Sequence, residues 1–168
     1  MRWLWRSTIW AEDAIPATEG STSREMKRIV LPLFDGLVVL MGFNGILNGM
    51  PSFALVYDPT ITAIASWTLF MAGLVAFVGL AIPRLWYLEA VGKLAMVFVL
   101  GGYAGAVWIA YVQGDAGRGF VAAGLTGLLA LPMWNLARLG RERATRVLDG
   151  LNRERSDRLD ARMTEGDI

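Results

Sequence analysis

The sequence lacks both cysteine and histidine, and only 18% of its 168 residues are charged. Without these two residue types the chain has no thiol nucleophile, no imidazole base and none of the ligands typical of zinc, haem or iron–sulfur sites. A soluble domain carries about 25% charged residues. The low charge, 55% hydrophobic residues and a mean hydropathy of +0.44 exclude a soluble globular domain and a disordered chain. This composition indicates an integral membrane protein.

The few charges are concentrated at the two ends of the chain. Between residues 29 and 137 there are only seven charged side chains. Four apolar stretches in this region are long enough to cross a hydrocarbon core about 30 Å thick as helices. We predict an all-α integral membrane fold with four antiparallel transmembrane helices at about residues 29–49, 61–82, 86–112 and 119–137.

The distribution of lysine and arginine predicts the orientation of these spans. Fifteen of the 16 basic residues lie on one side of the membrane and Arg118 alone lies on the other. Loops rich in Lys and Arg stay in the cytoplasm. Both termini are therefore expected to be cytoplasmic, in the inner (cytoplasmic) membrane, and the even number of spans requires the same.

The two flanks form separate predicted regions. Residues 1–28 contain Trp-rich sequence typical of an amphipathic segment lying at the cytoplasmic interface, followed by a polar linker. Residues 138–168 alternate acidic and basic residues at helical spacing and predict a charged cytoplasmic helical tail. That tail is either a plain solvated helix or one that self-associates or binds a soluble partner. The predicted interfacial anchors are Trp3, Trp5, Trp10, Trp67, Trp86, Trp108 and Trp134.

Three charged residues lie inside the predicted spans, where charge is energetically costly. Asp35 lies in the first span, and Glu89 and Lys93 lie one helical turn apart in the third. We expect a cluster of these three side chains to tie the first span to the third. Its role is either structural or that of a proton or ion relay.

The first span carries a second polar feature on its other side. Asn44 and Asn48 share one helix face, about 180° around the helix from Asp35. This face predicts a subunit interface or a water-filled lumen, and hence a homo-oligomer. Small residues let helix backbones approach each other in a membrane. On this basis the predicted helix-packing positions are Gly42, Gly45, Gly49, Gly101 and Gly105.

No motif for catalysis or cofactor binding is present in the sequence. It has no phosphate-binding loop, no dinucleotide fingerprint and no acidic metal cluster, and a net charge of +1 gives no electrostatic case for binding nucleic acid. We predict a protein that is not an enzyme, with no metal and no cofactor, whose partners are the lipid bilayer and other copies of itself.

The run Pro83-Arg84-Leu85-Trp86-Tyr87-Leu88-Glu89-Ala90-Val91-Gly92-Lys93 follows a Pro51-Ser52-Phe53 loop and a span that contains Trp67. Over roughly residues 29–112 this arrangement resembles small four-span membrane proteins of actinobacterial phages, which are regarded as holin-like. The resemblance implies a protein that self-associates and permeabilises the cytoplasmic membrane, with no catalytic residues.

Two other classes of function remain open at this stage. The chain is also compatible with a membrane accessory or scaffold subunit that recruits a soluble partner through its C-terminal tail. A third class is a small transporter or an accessory protein similar to the four-span DoxX proteins, although the second span has no charged residue.

Overall fold

The computed structural model describes residues 8–10 and 25–166, and the regular elements among them are all helical. Single turns precede three of the helices: a π-helical turn at Met26–Val30 and 3₁₀ turns at Pro83–Leu85 and Ala116–Arg118. The helices are α1 (Leu31–Asn48), α2 (Pro51–Ala54), α3 (Pro59–Ala81), α4 (Trp86–Val112) and α5 (Gly119–Gly166).

Four helical segments are long and apolar enough to cross a membrane. They are Met26–Asn48, Pro59–Ala81, Trp86–Val112 and Gly119–Thr145, with lengths of 23 to 27 residues. The predicted all-α fold with four apolar spans is therefore confirmed, and the chain is a small polytopic membrane protein. The third span has the predicted bounds, the first two lie one to three residues closer to the N-terminus, and the fourth runs past residue 137.

The ends of these helices follow from local sequence. Gly49 ends α1 with φ of +75°. Glycine adopts this conformation at little energetic cost because it has no Cβ atom. Asp58 caps α3, since its Oδ1 accepts a hydrogen bond from the Thr60 backbone N–H at 2.8 Å. That hydrogen bond lowers the pKa of the Asp58 carboxyl group. Pro59 is the first residue of α3, a position whose backbone N–H has no hydrogen-bond acceptor within the helix, so proline is well tolerated there.

Helix α3 lies between α1 and α4 and contacts both closely. On the α1 side, the Cα of Gly42 lies against the backbone of Phe70, and Gly45 lies against the side chain of Ser66. Residue numbers rise along α1 as they fall along α3, so these two helices are antiparallel. Such contacts are possible because glycine leaves room for the opposing backbone.

Glycines also allow close backbone packing between α3 and α4. A Cβ atom placed on Gly92 would come within 2.7 Å of the backbone nitrogen of Ala76, and one on Gly79 would overlap the backbone of Glu89. These contacts also run in opposite directions along the two helices. Helix α5 then packs antiparallel to α4, with Ala122 and Leu125 against Ala104 and Val107.

A hydrophobic core fills the space around these crossings. Its fully buried members include Val38 of α1, Leu69 of α3, and Met96 and Leu100 of α4. The short helix α2 adds Phe53, whose ring lies 4.4 Å from that of Tyr57. One core thus joins α1, α3 and α4.

The chain divides into two compact units, with the boundary between Met133 and Trp134. This boundary lies one residue after Pro132, which is inside α5 and has no N–H for the helical hydrogen bond. Helix α5 itself continues from Gly119 to Gly166, so there is no break in secondary structure at residue 138, where the charged tail was predicted to begin.

The two glycine environments of α4 give a direct test of this packing. Gly92→Ala should destabilise the protein by about 1–3 kcal/mol, because the new methyl group overlaps the backbone of α3. Gly101→Ala is the matched control: no other atom among the described residues lies within 4 Å of its Cβ position. Because alanine has a higher helix propensity than glycine, the control substitution should leave the stability of the protein unchanged or raise it slightly. The measurement is unfolding in mixed detergent micelles, and equal losses in the two variants would contradict the packing described.

Candidate functional site

A buried ion pair joins α1 to α4. The Nζ of Lys93 donates a hydrogen bond to Oδ1 of Asp35, and neither side chain is exposed. The two residues are 58 positions apart in the sequence. The ammonium group also lies over the ring of Phe34, 5.1 Å from its centroid, where the ring quadrupole attracts a cation. The structure therefore brings together two of the three charged residues expected to form the cluster.

Glu89, the third predicted member, is also buried, with 5% of its surface exposed. It precedes Lys93 by four residues on α4, so the two side chains emerge from the same face of the helix one turn apart. The cluster thus has two carboxyl groups and one amine, on side chains that are all buried.

The glycines of α3 position this cluster. A Cβ atom on Gly73 would lie 2.7 Å from the side chain of Val39 and 3.3 Å from the carbonyl oxygen of Asp35. At the other crossing Gly79 lies directly against the backbone of Glu89. Since α3 has no charged residue, its small side chains let the charged positions of α1 and α4 approach across it.

One oxygen of this cluster has no hydrogen-bond partner within the described part of the chain. Oδ2 of Asp35 is buried and accepts no hydrogen bond there, while Oδ1 accepts from Lys93. A buried carboxylate oxygen without a donor is costly in a low-dielectric interior. The cluster can therefore hold a proton or a polar ligand at this oxygen, and it contains no group of three acidic residues that could hold a metal ion.

The structure places the predicted amide pair away from this cluster. Asn44 and Asn48 are exposed, and Nδ2 of Asn48 donates a hydrogen bond to Oδ1 of Asn44 at 3.2 Å. Both lie in the last two turns of α1, near the end that leads to α2. A cleft of about 400 Å³ opens beside Asn44, with Tyr103 of α4 on its other side.

The predicted packing glycines divide into two groups. Gly42 and Gly45 lie at the α1–α3 crossing, whereas Gly49 serves the end of α1. Gly101 and Gly105 have no atom within 4 Å of their Cβ positions among the described residues, so they do not lie at a helix crossing there. Spacing alone did not distinguish these cases, because a pair of glycines four apart shares a face whichever way that face points.

Sequence reasoning missed three glycines that lie in close contact with a neighbouring helix, namely Gly73, Gly79 and Gly92. A usable signal was present. Ala65, Ala72 and Gly79 recur every seven residues along α3, which places small residues on one face over the length of the span.

The tryptophans predicted as anchors occupy different environments. Trp86 begins α4, and Trp108 lies four residues before its end and donates through Nε1 to Oγ1 of Thr126 at 3.1 Å. Trp67 is 52% exposed but lies eight residues inside α3, about 12 Å from its start, which is deeper than an interfacial anchor. Trp10 is half-buried, Trp134 is exposed, and Trp3 and Trp5 lie outside the described residues.

Comparison with known proteins assigns no relative. No protein-family model, curated protein or solved structure matches the chain. The function must therefore be argued from the site itself.

Removing one member of the buried ion pair should cost far more than replacing both. Asp35→Ala and Lys93→Ala should each destabilise the protein by about 3–5 kcal/mol, because each breaks a buried ion pair by removing one of its partners. The double variant Asp35→Leu/Lys93→Met should recover most of that loss, since it removes both charges and keeps the volume. The measurement is the free energy of unfolding in mixed micelles.

The exposed pair Arg118–Asp115 provides the control for this cycle. Its Asp115 side chain is 49% exposed, so Asp115→Ala should change stability by less than about 1 kcal/mol. Strictly additive losses in the Asp35/Lys93 double variant would mean that the two side chains do not stabilise each other.

Proposed function

We propose that the chain is a holin-like membrane protein that self-associates and permeabilises the cytoplasmic membrane without catalysing a reaction. The exposed amide pair of α1 is the observation that carries this proposal.

Each asparagine side chain can make several hydrogen bonds, and the Asn44–Asn48 contact uses only one donor and one acceptor. The amides lie on the same helix as exposed Leu40 and Leu47, so this surface is apolar apart from them. Lipid chains offer no hydrogen-bond partner, whereas the same amides on a second copy do. Interhelical hydrogen bonds of this kind stabilise association by about 0.6–2 kcal/mol each.

The composition supports a function without catalysis. Cysteine and histidine are absent, and the charged cluster holds two carboxyl groups and an amine on helices with no adjacent nucleophile motif. What the chain offers instead is a stable bundle with an outward-facing polar pair, which suits assembly of many copies in one membrane.

A second function is favoured by the length of α5. This helix continues for 29 residues beyond Ala137, where its apolar run ends, and exposes Val147, Leu148 and Leu151 on the continuation. A charged helix with a short apolar surface suits recruitment of a soluble partner. In this alternative the bundle serves as an anchor, and the full-length variant Leu148→Arg/Leu151→Arg loses the partner while the membrane stays intact.

Inducible expression in a bacterial host tests the lesion proposal. Expression of the unaltered chain should abolish the membrane potential, read with a potential-sensitive dye, and arrest growth abruptly. Asn44→Leu/Asn48→Leu should delay or prevent this loss and reduce cross-linked oligomers. The matched control Leu94→Ala/Phe98→Ala changes two exposed residues four apart on α4, outside the amide surface of α1, and should behave like the unaltered chain. Normal growth at a verified high level in the membrane would contradict the proposal.

The orientation proposed for these spans has its own test. With 15 basic residues on one side, a reporter that is active only in the cytoplasm should be active when fused at either terminus. The same reporter inserted after Gly114, in the connection between α4 and α5, should be inactive. Activity at this internal position together with inactive terminal fusions would reverse the proposed topology.

A further inference from the structure

A short segment near the N-terminus folds back onto the bundle. Residues 8–10 contact the end of the bundle where α1 begins and α3 finishes. The backbone N–H of Ile9 donates to the carbonyl of Ala81 at 3.1 Å, and Nε of Arg28 donates to the carbonyl of Ile9 at 3.2 Å. Nε1 of Trp10 donates to the carbonyl of Arg28 at 3.2 Å.

These hydrogen bonds satisfy groups that helices leave open. Ala81 is the last residue of α3, and the final carbonyl groups of a helix have no donor within it. In an α-helix the carbonyl of Arg28 would accept a hydrogen bond from the N–H of the residue four positions later. That residue is Pro32, which has no N–H. The segment thus supplies donors at two sites where the local sequence cannot.

The segment also buries an apolar side chain in the bundle. Ile9 is only 6% exposed and packs with Leu31 of α1 and Leu80 of α3. Beside it, the ring of Trp10 lies 6.4 Å from that of Phe77. A segment lying loosely on a membrane surface would not bury a side chain to this extent.

The position of Ile9 relates it to the ion pair. Its contact Leu31 precedes Asp35 by four residues and therefore lies on the same face of α1, one turn closer to the helix start. Its other contact, Leu80, follows Gly79, which lies against the backbone of Glu89. Ile9 thus packs against residues that adjoin the charged cluster, at the end of the bundle.

Asp35 lies nine residues, about 14 Å along the helix axis, from the start of the span Met26–Asn48, and it has no exposed surface. Between it and the start of the span lies Leu31, against which Ile9 packs. We propose that residues 8–10 form an apolar lid that keeps water away from the Asp35–Lys93 ion pair, and that displacing the lid opens this cluster to the aqueous phase. Exclusion of water matters because it strengthens the attraction between the paired charges.

The absence of cysteine allows a clean accessibility test on the full chain in lipid nanodiscs. The reporter is Leu31→Cys, whose reaction with a charged maleimide is followed in time; Arg84→Cys gives the rate of an exposed thiol. With Ile9 present the reporter should react at least tenfold more slowly than this reference. Adding Ile9→Asp should raise its rate at least tenfold, while Ile9→Leu should change it less than twofold.

Two controls separate a lid from general instability. Ile29→Asp places the same charge on an exposed residue near the start of the same span and should leave the reporter unchanged. A second reporter, Leu100→Cys, lies deep in the core and should stay unreactive when Ile9→Asp is added. Faster reaction at both reporters, or no acceleration at Leu31→Cys, would overturn the proposal.

This inference does not depend on lesion formation. The labelling rates are measured on purified protein, whereas permeabilisation is judged from membrane potential in cells. A chain that forms no lesions can still show a lid, and a chain without a lid can still form lesions.

Discussion

The buried ion pair between Asp35 and Lys93 is the constraint on which the rest of the structure depends. Two opposite charges with no exposed surface must meet, and they lie on helices that are separated in sequence by the whole of α3. Charge in this environment is tolerable when it is paired with an opposite charge that repays the cost of leaving water. The position of α3 and the packing at its two crossings serve that condition.

Helix α3 allows this pairing through the small side chains on its packing face, not through polar contacts of its own. It contributes no charge, and its face of glycine, alanine and serine brings the backbones of α1 and α4 within reach of each other's long side chains. In lipid there is little hydrophobic gain from bringing helices together, so close backbone packing has to supply the stabilisation. Packing and charge pairing therefore depend on the same few positions.

Much of this architecture could be predicted from the sequence, because hydropathy reports directly on which segments cross a membrane. The pairing of Asp35 with Lys93 was also accessible, since the intramembrane charges are few and lie at similar depths. The glycine contacts were only partly predictable: Gly42 and Gly45 were predicted as packing positions, but spacing within one helix does not say which face meets a neighbour, as Gly92 and Gly101 illustrate. Ile9 gave no signal: its burial depends on a hydrogen-bond donor at Arg28 and an acceptor at Ala81 that no local sequence pattern indicates.

The distance of 58 residues between the paired charges has a consequence for how the chain is made. Asp35 leaves the ribosome first, and at about 5–20 residues per second its partner follows several seconds later. During that interval α1 enters the membrane with a carboxyl group that has no amine to meet. The leucines of α1 must therefore favour insertion strongly enough to hold the helix in place until α4 arrives, so the order of synthesis, as well as the finished fold, sets how apolar the first span has to be.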